Sequence, residues 1–170
     1  MPKDELDNTK GGVLVRREFF DHLLTRMADK RIHVLFAGLG YPRYDEFKAA
    51  YPTRVINTEA SEQATLDIAV GLAIQGMKPF VYTITPFYWR GAETIRTYIS
   101  HERHAVRMCG AGRDEDYTVD DGFSHDARDI GRLMGILNIA CRYPNSVEEM
   151  KQSVDDMIAE DVPSLLSLRR

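Results

Sequence analysis

The chain has 170 residues, 44% of them hydrophobic and 28% charged, enough for one domain with its own core and too few for two large ones. Its 22 basic and 26 acidic residues give a net charge of −4 with no long basic run, which argues against nucleic acid or an anionic membrane as a partner. No stretch approaches the roughly 20 apolar residues of a membrane span, and the opening MPKDELDNTKG lacks the apolar core of a secretory leader, so a cytoplasmic protein is expected.

After a polar arm, residues 1–12, the stretch VLVRREFFDHLLTRMAD carries Leu14, Phe19, Phe20, Leu23, Leu24 and Met27 near helical spacing. IHVLFAGLG reads as a buried strand running into a glycine turn, YDEFKAAY as a short helix and RVINTE as a second strand. A helix follows from Glu62 to the stop at Gly76, and KPFVYTI is a third strand. GAETIRTYIS is helical, HAVRMCG is a fourth strand, and residues 110–125 form a long polar loop. ARDIGRLMGIL, NIACRY, SVEEMKQSVDDMIAE and SLLSLRR complete the order as helix, strand, helix, strand. Cys109 and Cys141 fall in predicted strands without metal-ligand spacing, and read as buried thiols in a reducing compartment.

Strands that alternate with helices imply a mostly parallel sheet of about six strands covered on both faces. With right-handed crossovers this is a doubly wound α/β domain, which binds ligands at the carboxyl ends of its strands. That rule singles out Glu62 after the second strand, Phe87 to Arg90 after the third, and the loop after the fourth. The loop is too long for a mere connector of about 4–6 residues. It ends in Asp121, Gly122, Ser124 and His125, where a glycine turn could aim an acid and an imidazole at a hydroxyl or carbonyl group, or could simply form a surface turn. Glu62 is the sharper signal. It enters a helix of Ala64, Ile68, Ala69, Gly71, Leu72, Ala73 and Ile74, composed as if buried on most sides. An acid there is a cap on the helix dipole, or else it is paired, protonated or catalytic.

Four segments, VINTEASEQATLDIAVGLAIQG, KPFVYTITPFYWRGAETIR, VDDGFSHDARDI and VPSLLSLRR, stand in an order that resembles the pyrimidine-binding domain of the transketolase family, which includes deoxyxylulose-phosphate synthase. The similarity covers residues 13–170 and implies that family's fold and its cofactor, thiamine diphosphate. On this resemblance Glu62 hydrogen-bonds ring nitrogen N1′ of the cofactor's aminopyrimidine and helps to activate it. Such an acid is expected to be buried and short of cationic partners. Phe87 stacks on the ring, with Ile84 and Arg90 beside it; Arg90 stands where transketolases often carry tyrosine and deoxyxylulose-phosphate synthases arginine. The resemblance makes Asp121 and His125 substrate contacts, His125 with a catalytic share, and sets Arg16 against the acceptor's phosphate.

The chain also departs from the family pattern. Gly38 and Gly40 stand where relatives carry a serine and an aspartate, with Arg43 as a substitute anion ligand. The arginine expected beside the proline is displaced to the order Arg142, Tyr143, Pro144. The family's second domain, whose G-D-G…N signature holds Mg2+ or Ca2+ on the diphosphate, is absent from the sequence. The resemblance therefore implies a split enzyme, with a separate diphosphate-binding subunit, in a heterotetramer of two copies of each chain. It would transfer a two-carbon ketol unit between sugars. A 2-oxo acid carboligase or decarboxylase, and a non-catalytic binding protein of the same fold, are the alternatives.

Overall fold

Successive side chains of the central strands point to opposite sides, and both sets are buried. The computed structural model describes residues 12–38 and 43–170. In it α1 (Gly12–Arg26), β1 (Ile32–Phe36), α2 (Tyr44–Ala50), β2 (Val55–Asn57), α3 (Glu62–Ile74) and β3 (Lys78–Ile84) follow one another. A tight 3-10 turn (Thr85–Gly91) then leads into α4 (Ala92–Thr94), which widens into π-helical turns over Ile95–His101. The order closes with β4 (Arg107–Ala111), α5 (Thr118–Asp121), a 3-10 turn (Phe123–His125), α6 (Ile130–Ile136), β5 (Ala140–Arg142), α7 (Val147–Ala159) and β6 (Ser164–Leu168).

The strands make one parallel six-stranded sheet in the order β2-β1-β3-β4-β6-β5. Leu35, Val81, Met108 and Leu165 are successive partners across it and face Leu66, Ala69 and Val70 of α3, Tyr88, Ile95 and Ile99, and Ile130 and Met134 of α6. Their neighbours Phe36, Tyr82, Cys109 and Leu166 face the opposite layer, built by Phe19, Phe20 and Leu23 of α1, Phe47 of α2, and Met150, Val154 and Met157 of α7. This is the doubly wound sheet expected from the alternation of elements. The polar arm lies outside the described residues except for Gly12, which opens α1, and Gly40 also lies outside them. Among the described residues no helix is long and apolar enough to cross a membrane. Cys109 is buried and Cys141 half-buried, and burial pushes both thiols up, so neither is a thiolate nucleophile at neutral pH.

Two local devices fix the elements packed about the sheet, one at the carboxyl ends of its strands and one between α1 and α7. A Cβ on Gly110 would lie 2.2 Å from Thr85 Oγ1 and 2.9 Å from Thr85 Cα, so only glycine lets the turn after β3 lie on β4. The Thr85 hydroxyl then donates to the Gly112 carbonyl at 2.5 Å. On the opposite layer Arg26 grips Asp155 through Nε and Nη2, at 2.7 and 2.8 Å, and His22 Nε2 lies 2.9 Å from the same carboxylate, tying α1 to α7.

The Arg26 hydrogen bond holds the Asp155 carboxyl below its ordinary range. A lowered folded pKa stabilises the fold fully above the unfolded carboxyl's value of about 4, and the gain is lost as pH falls through the folded value. Asp155→Asn should therefore cost about 0.5–1 kcal/mol at neutral pH, the range of a solvent-screened pair. Urea unfolding midpoints of the two chains should converge on acidification.

Candidate functional site

The first turn of α3 is fastened before Glu62 is placed. The Thr58 amide donates to the Phe36 carbonyl at 3.0 Å, joining the ends of β2 and β1. The hydroxyls of Thr58 and Thr65 hydrogen-bond each other, and Thr65 Oγ1 also donates to the Ser61 carbonyl at 2.9 Å. Glu62 is thereby held at the positive end of the α3 dipole with 3% of its surface exposed.

Its partner corrects the expectation of an acid without cations: Arg90 Nη1 donates to Glu62 Oε1 at 2.7 Å. The pairing follows from how the turn after β3 meets α3. A Cβ on Gly91 would fall 2.3 Å from Leu66 Cδ1, so the turn packs directly on the helix, and Thr94 Oγ1 donates to Asp67 Oδ1 at 2.6 Å. A second correction concerns α3 itself. It buries Thr65, Leu66, Ala69 and Val70, but Ala64 and Gly71 lie on the surface with Ile68 and Ile74, which are 39% and 56% exposed. The small apolar composition serves two faces, only one of which meets this chain's own core.

Tyr88 anchors the aromatic turn. It is fully buried, its hydroxyl 2.9 and 3.0 Å from the carbonyl oxygens of Val81 and Cys109. Its neighbours are thereby turned the other way: Phe87 is half-buried, and Trp89 and Arg90 are exposed. The Arg90 guanidinium carbon lies 3.9 Å from the Phe87 ring centroid, so one planar group touches Glu62 and Phe87 together. Ile84 ends β3 just before this turn.

From Phe87 a row of contacts runs across the sheet's edge. The rings of Phe87 and His125 are 5.0 Å apart, and those of His125 and Tyr117 6.2 Å apart. Ser124 Oγ lies 2.9 Å from His125 Nδ1, and Arg16 Nη1 donates to the Tyr117 hydroxyl at 2.9 Å. Arg16 Nε is shielded from water and has no hydrogen-bond partner among the described residues. Glu62, Phe87, Arg90, His125 and Arg16 are thus brought into one row from α3, the turn after β3, the loop after β4 and α1. Asp121 is exposed, just before the turn at Gly122 (φ +71°) that leads to His125. Arg43 is placed elsewhere, on the carboxylates of Asp21 and Glu46.

One member of the row, Tyr117, and one support of its loop, Arg113, escaped the sequence reading. Tyr117 bridges Arg16 and His125, and burial pushes its phenol above the ordinary value despite Arg16 and Arg170 nearby, so it stays a neutral hydroxyl. Its signal was an aromatic residue in a polar loop five positions after Gly112 (φ +81°), whose Cβ would lie 2.4 Å from the Tyr117 ring. Arg113 is buried and donates to Asn145 Oδ1 at 3.0 Å and to the carbonyls of Pro144 and Ser167 at 2.8 and 2.7 Å. These bonds tie the loop after β4 to the segment after β5 and to the end of β6, while Arg142 pairs with Glu160. Among the described residues no group of three or more His, Cys, Asp or Glu side chains could hold a metal ion. An open depression of about 430 Å³ runs past Ser61, Glu62, Asp67 and Arg90, beside the Glu62 carboxylate.

Comparison with known proteins gives this geometry a context. Residues 16–170 match the family model described as transketolase, pyrimidine binding domain. The chain is 30% identical over 156 residues to the transketolase family protein y4mN of Sinorhizobium fredii, covering 89% of this chain and 45% of that one. It is 30% identical over 149 residues to 1-deoxy-D-xylulose-5-phosphate synthase of Lawsonia intracellularis, covering 86% of this chain and 23% of that one. Over 110 residues it is 27% identical to an apulose-4-phosphate transketolase subunit of Actinobacillus succinogenes, covering 64% of this chain and 35% of that one. It therefore spans less than half the length of these relatives. Among solved structures, a split gene transketolase described as an inactive beta4 tetramer superposes with a TM-score of 0.79 at 25% identity, over 92% of this chain and 51% of that one.

The anchoring of the turn is open to test. Tyr88→Phe removes the single hydroxyl hydrogen that the carbonyls of Val81 and Cys109 share and should destabilise the chain by about 1–3 kcal/mol. Hydrogen exchange of the amides of residues 87–91 should quicken more than that of the strands β1 and β6.

Proposed function

The chain belongs to the transketolase family, and on that premise we propose that it is the pyrimidine-binding subunit of a split, thiamine-diphosphate-dependent transketolase. It would act in the cytoplasm with a separate diphosphate-binding chain, moving a two-carbon ketol unit from a ketose donor to an aldehyde acceptor. The observation that carries this reading is the clamp of Glu62 and Phe87 on one flat, nitrogen-rich group. An aminopyrimidine needs the same two contacts, so the residues present fit the cofactor's ring. Bound there, thiamine diphosphate supplies the nucleophilic carbon that takes up the two-carbon fragment.

The remaining roles fall to this chain's own side chains. Glu62, with 3% of its surface exposed, shares a proton with the ring nitrogen where little water competes, so that hydrogen bond is strong. Phe87 supports the ring's face. His125, oriented by Ser124 and the rings of Phe87 and Tyr117, exchanges hydrogen bonds with oxygens of the donor sugar. Asp121 meets a substrate hydroxyl, and Arg16 faces the acceptor's far end. The diphosphate and its Mg2+ or Ca2+ belong to the partner, in a heterotetramer of two copies of each chain. The names of the split gene transketolase and of the apulose-4-phosphate transketolase subunit support a two-chain assembly, and so does the apolar surface of α3.

Glu62→Gln, mixed with the partner chain, should lower turnover of a ketose–aldehyde pair ~10²-fold or more while assembly persists. Turnover that survives the substitution rejects the mechanism, and a preference for pyruvate-type 2-oxo acids over ketoses rejects the substrate class. Ile68→Asp combined with Ile74→Asp should abolish association on gel filtration. Because both side chains are exposed, it should move the unfolding free energy of the isolated chain by no more than about 0.5 kcal/mol per site.

A further inference from the structure

Arg90 already does to Glu62 and Phe87 what a bound ring must do. Its guanidinium lies 3.9 Å from the Phe87 centroid and donates to the buried carboxylate at 2.7 Å. A guanidinium is a flat group with N–H donors on its rim, and in those respects it imitates an aminopyrimidine. The two cannot share the site. A ring slipped between guanidinium and Phe87 would need about 7 Å, two contact distances of ~3.5 Å, and Glu62 Oε1 is already taken.

The geometry points to Arg90 as a built-in competitor for the aminopyrimidine: it fills the clamp in the free chain and swings out when the ring enters. This rests on the reading of Glu62 and Phe87 as the ring's site. The side chain is free to leave, being 51% exposed, and among the described residues its only hydrogen bond is to Glu62. The open depression past Ser61 and Asp67 adjoins it and gives the incoming ring a way to the carboxylate. The exchange leaves the buried acid with a partner in both end states, where removing one partner of a buried ion pair outright would leave an uncompensated charge. Apparent affinity for the ring is then reduced by the fraction of molecules whose clamp is closed.

The test is a titration of the full chain with thiamine, followed by calorimetry and by the Nε–Hε nuclear magnetic resonance signal of Arg90. Arg90→Ala should bind thiamine ~10-fold more tightly than the unaltered chain. Arg90→Lys, which keeps the charge but loses the flat fork, should fall between them and guards against a folding defect in the alanine variant. Adding Glu62→Gln to Arg90→Ala should remove the gain. In the unaltered chain the Arg90 signal should shift in proportion to saturation. Equal or weaker binding by both Arg90 variants, no detectable binding by either, or an Arg90 signal unmoved at saturation would each overturn the exchange. The proposed function would survive any of these if Glu62→Gln still silenced the reconstituted enzyme, so the two failures are separable.

Discussion

A carboxylate withdrawn from water has to be answered by another group, and Glu62 imposes that requirement at the carboxyl ends of the strands. Its answer comes from a residue 28 positions later, so the turn after β3 has to land on the first turn of α3 with little tolerance. Gly91 against Leu66, Thr94 against Asp67, and the buried hydroxyl of Tyr88 all serve that landing. The clasp of Thr58 and Thr65 holds the other side still. Each of these contacts belongs to a different neighbour, yet all converge on where one oxygen sits.

Sheet topology explains why the other candidate side chains arrive at the same place. The chain leaves β1 toward β2 and leaves β3 toward β4, so the connections diverge at the carboxyl ends of neighbouring strands. The loop after β4 closes over this edge in two unlike halves. Its first half is fixed by Arg113 beneath it and by Asp116, which accepts from Arg169 and from the Arg170 amide at 3.0 Å each. Its second half carries Val119 and Phe123, both well exposed, on either side of Asp121. Tyr117 and His125 lie half-buried where the two halves meet the aromatic turn.

The fold was legible because both faces of the sheet are covered, which makes strands such as IHVLF and KPFVYTI largely apolar and sets them apart from the helical segments between them. For the candidate site, the sequence offered a list of side chains and no set of partnerships. Glu62, Phe87, His125 and Arg16 could be named from the order of motifs, but which cation meets which acid is decided by packing between distant elements. Arg90 found Glu62, whereas Arg43 was drawn to Asp21 on α1 and Glu46 on α2. The burial of α3 was misjudged because alanine, glycine and isoleucine look the same in sequence whether they face a core or an open surface. Tyr117 was hidden by the polar residues around it, and Arg113 by its place in a loop whose carbonyl partners come from distant segments.

The turn that carries Phe87 and Arg90 also carries Trp89, the single tryptophan of the chain, which is 44% exposed. An indole tied covalently to the guanidinium's own backbone senses the polarity and mobility of that segment before any label is attached. The emission of the unmodified protein is thus a local gauge of one turn of backbone rather than an average over the whole fold.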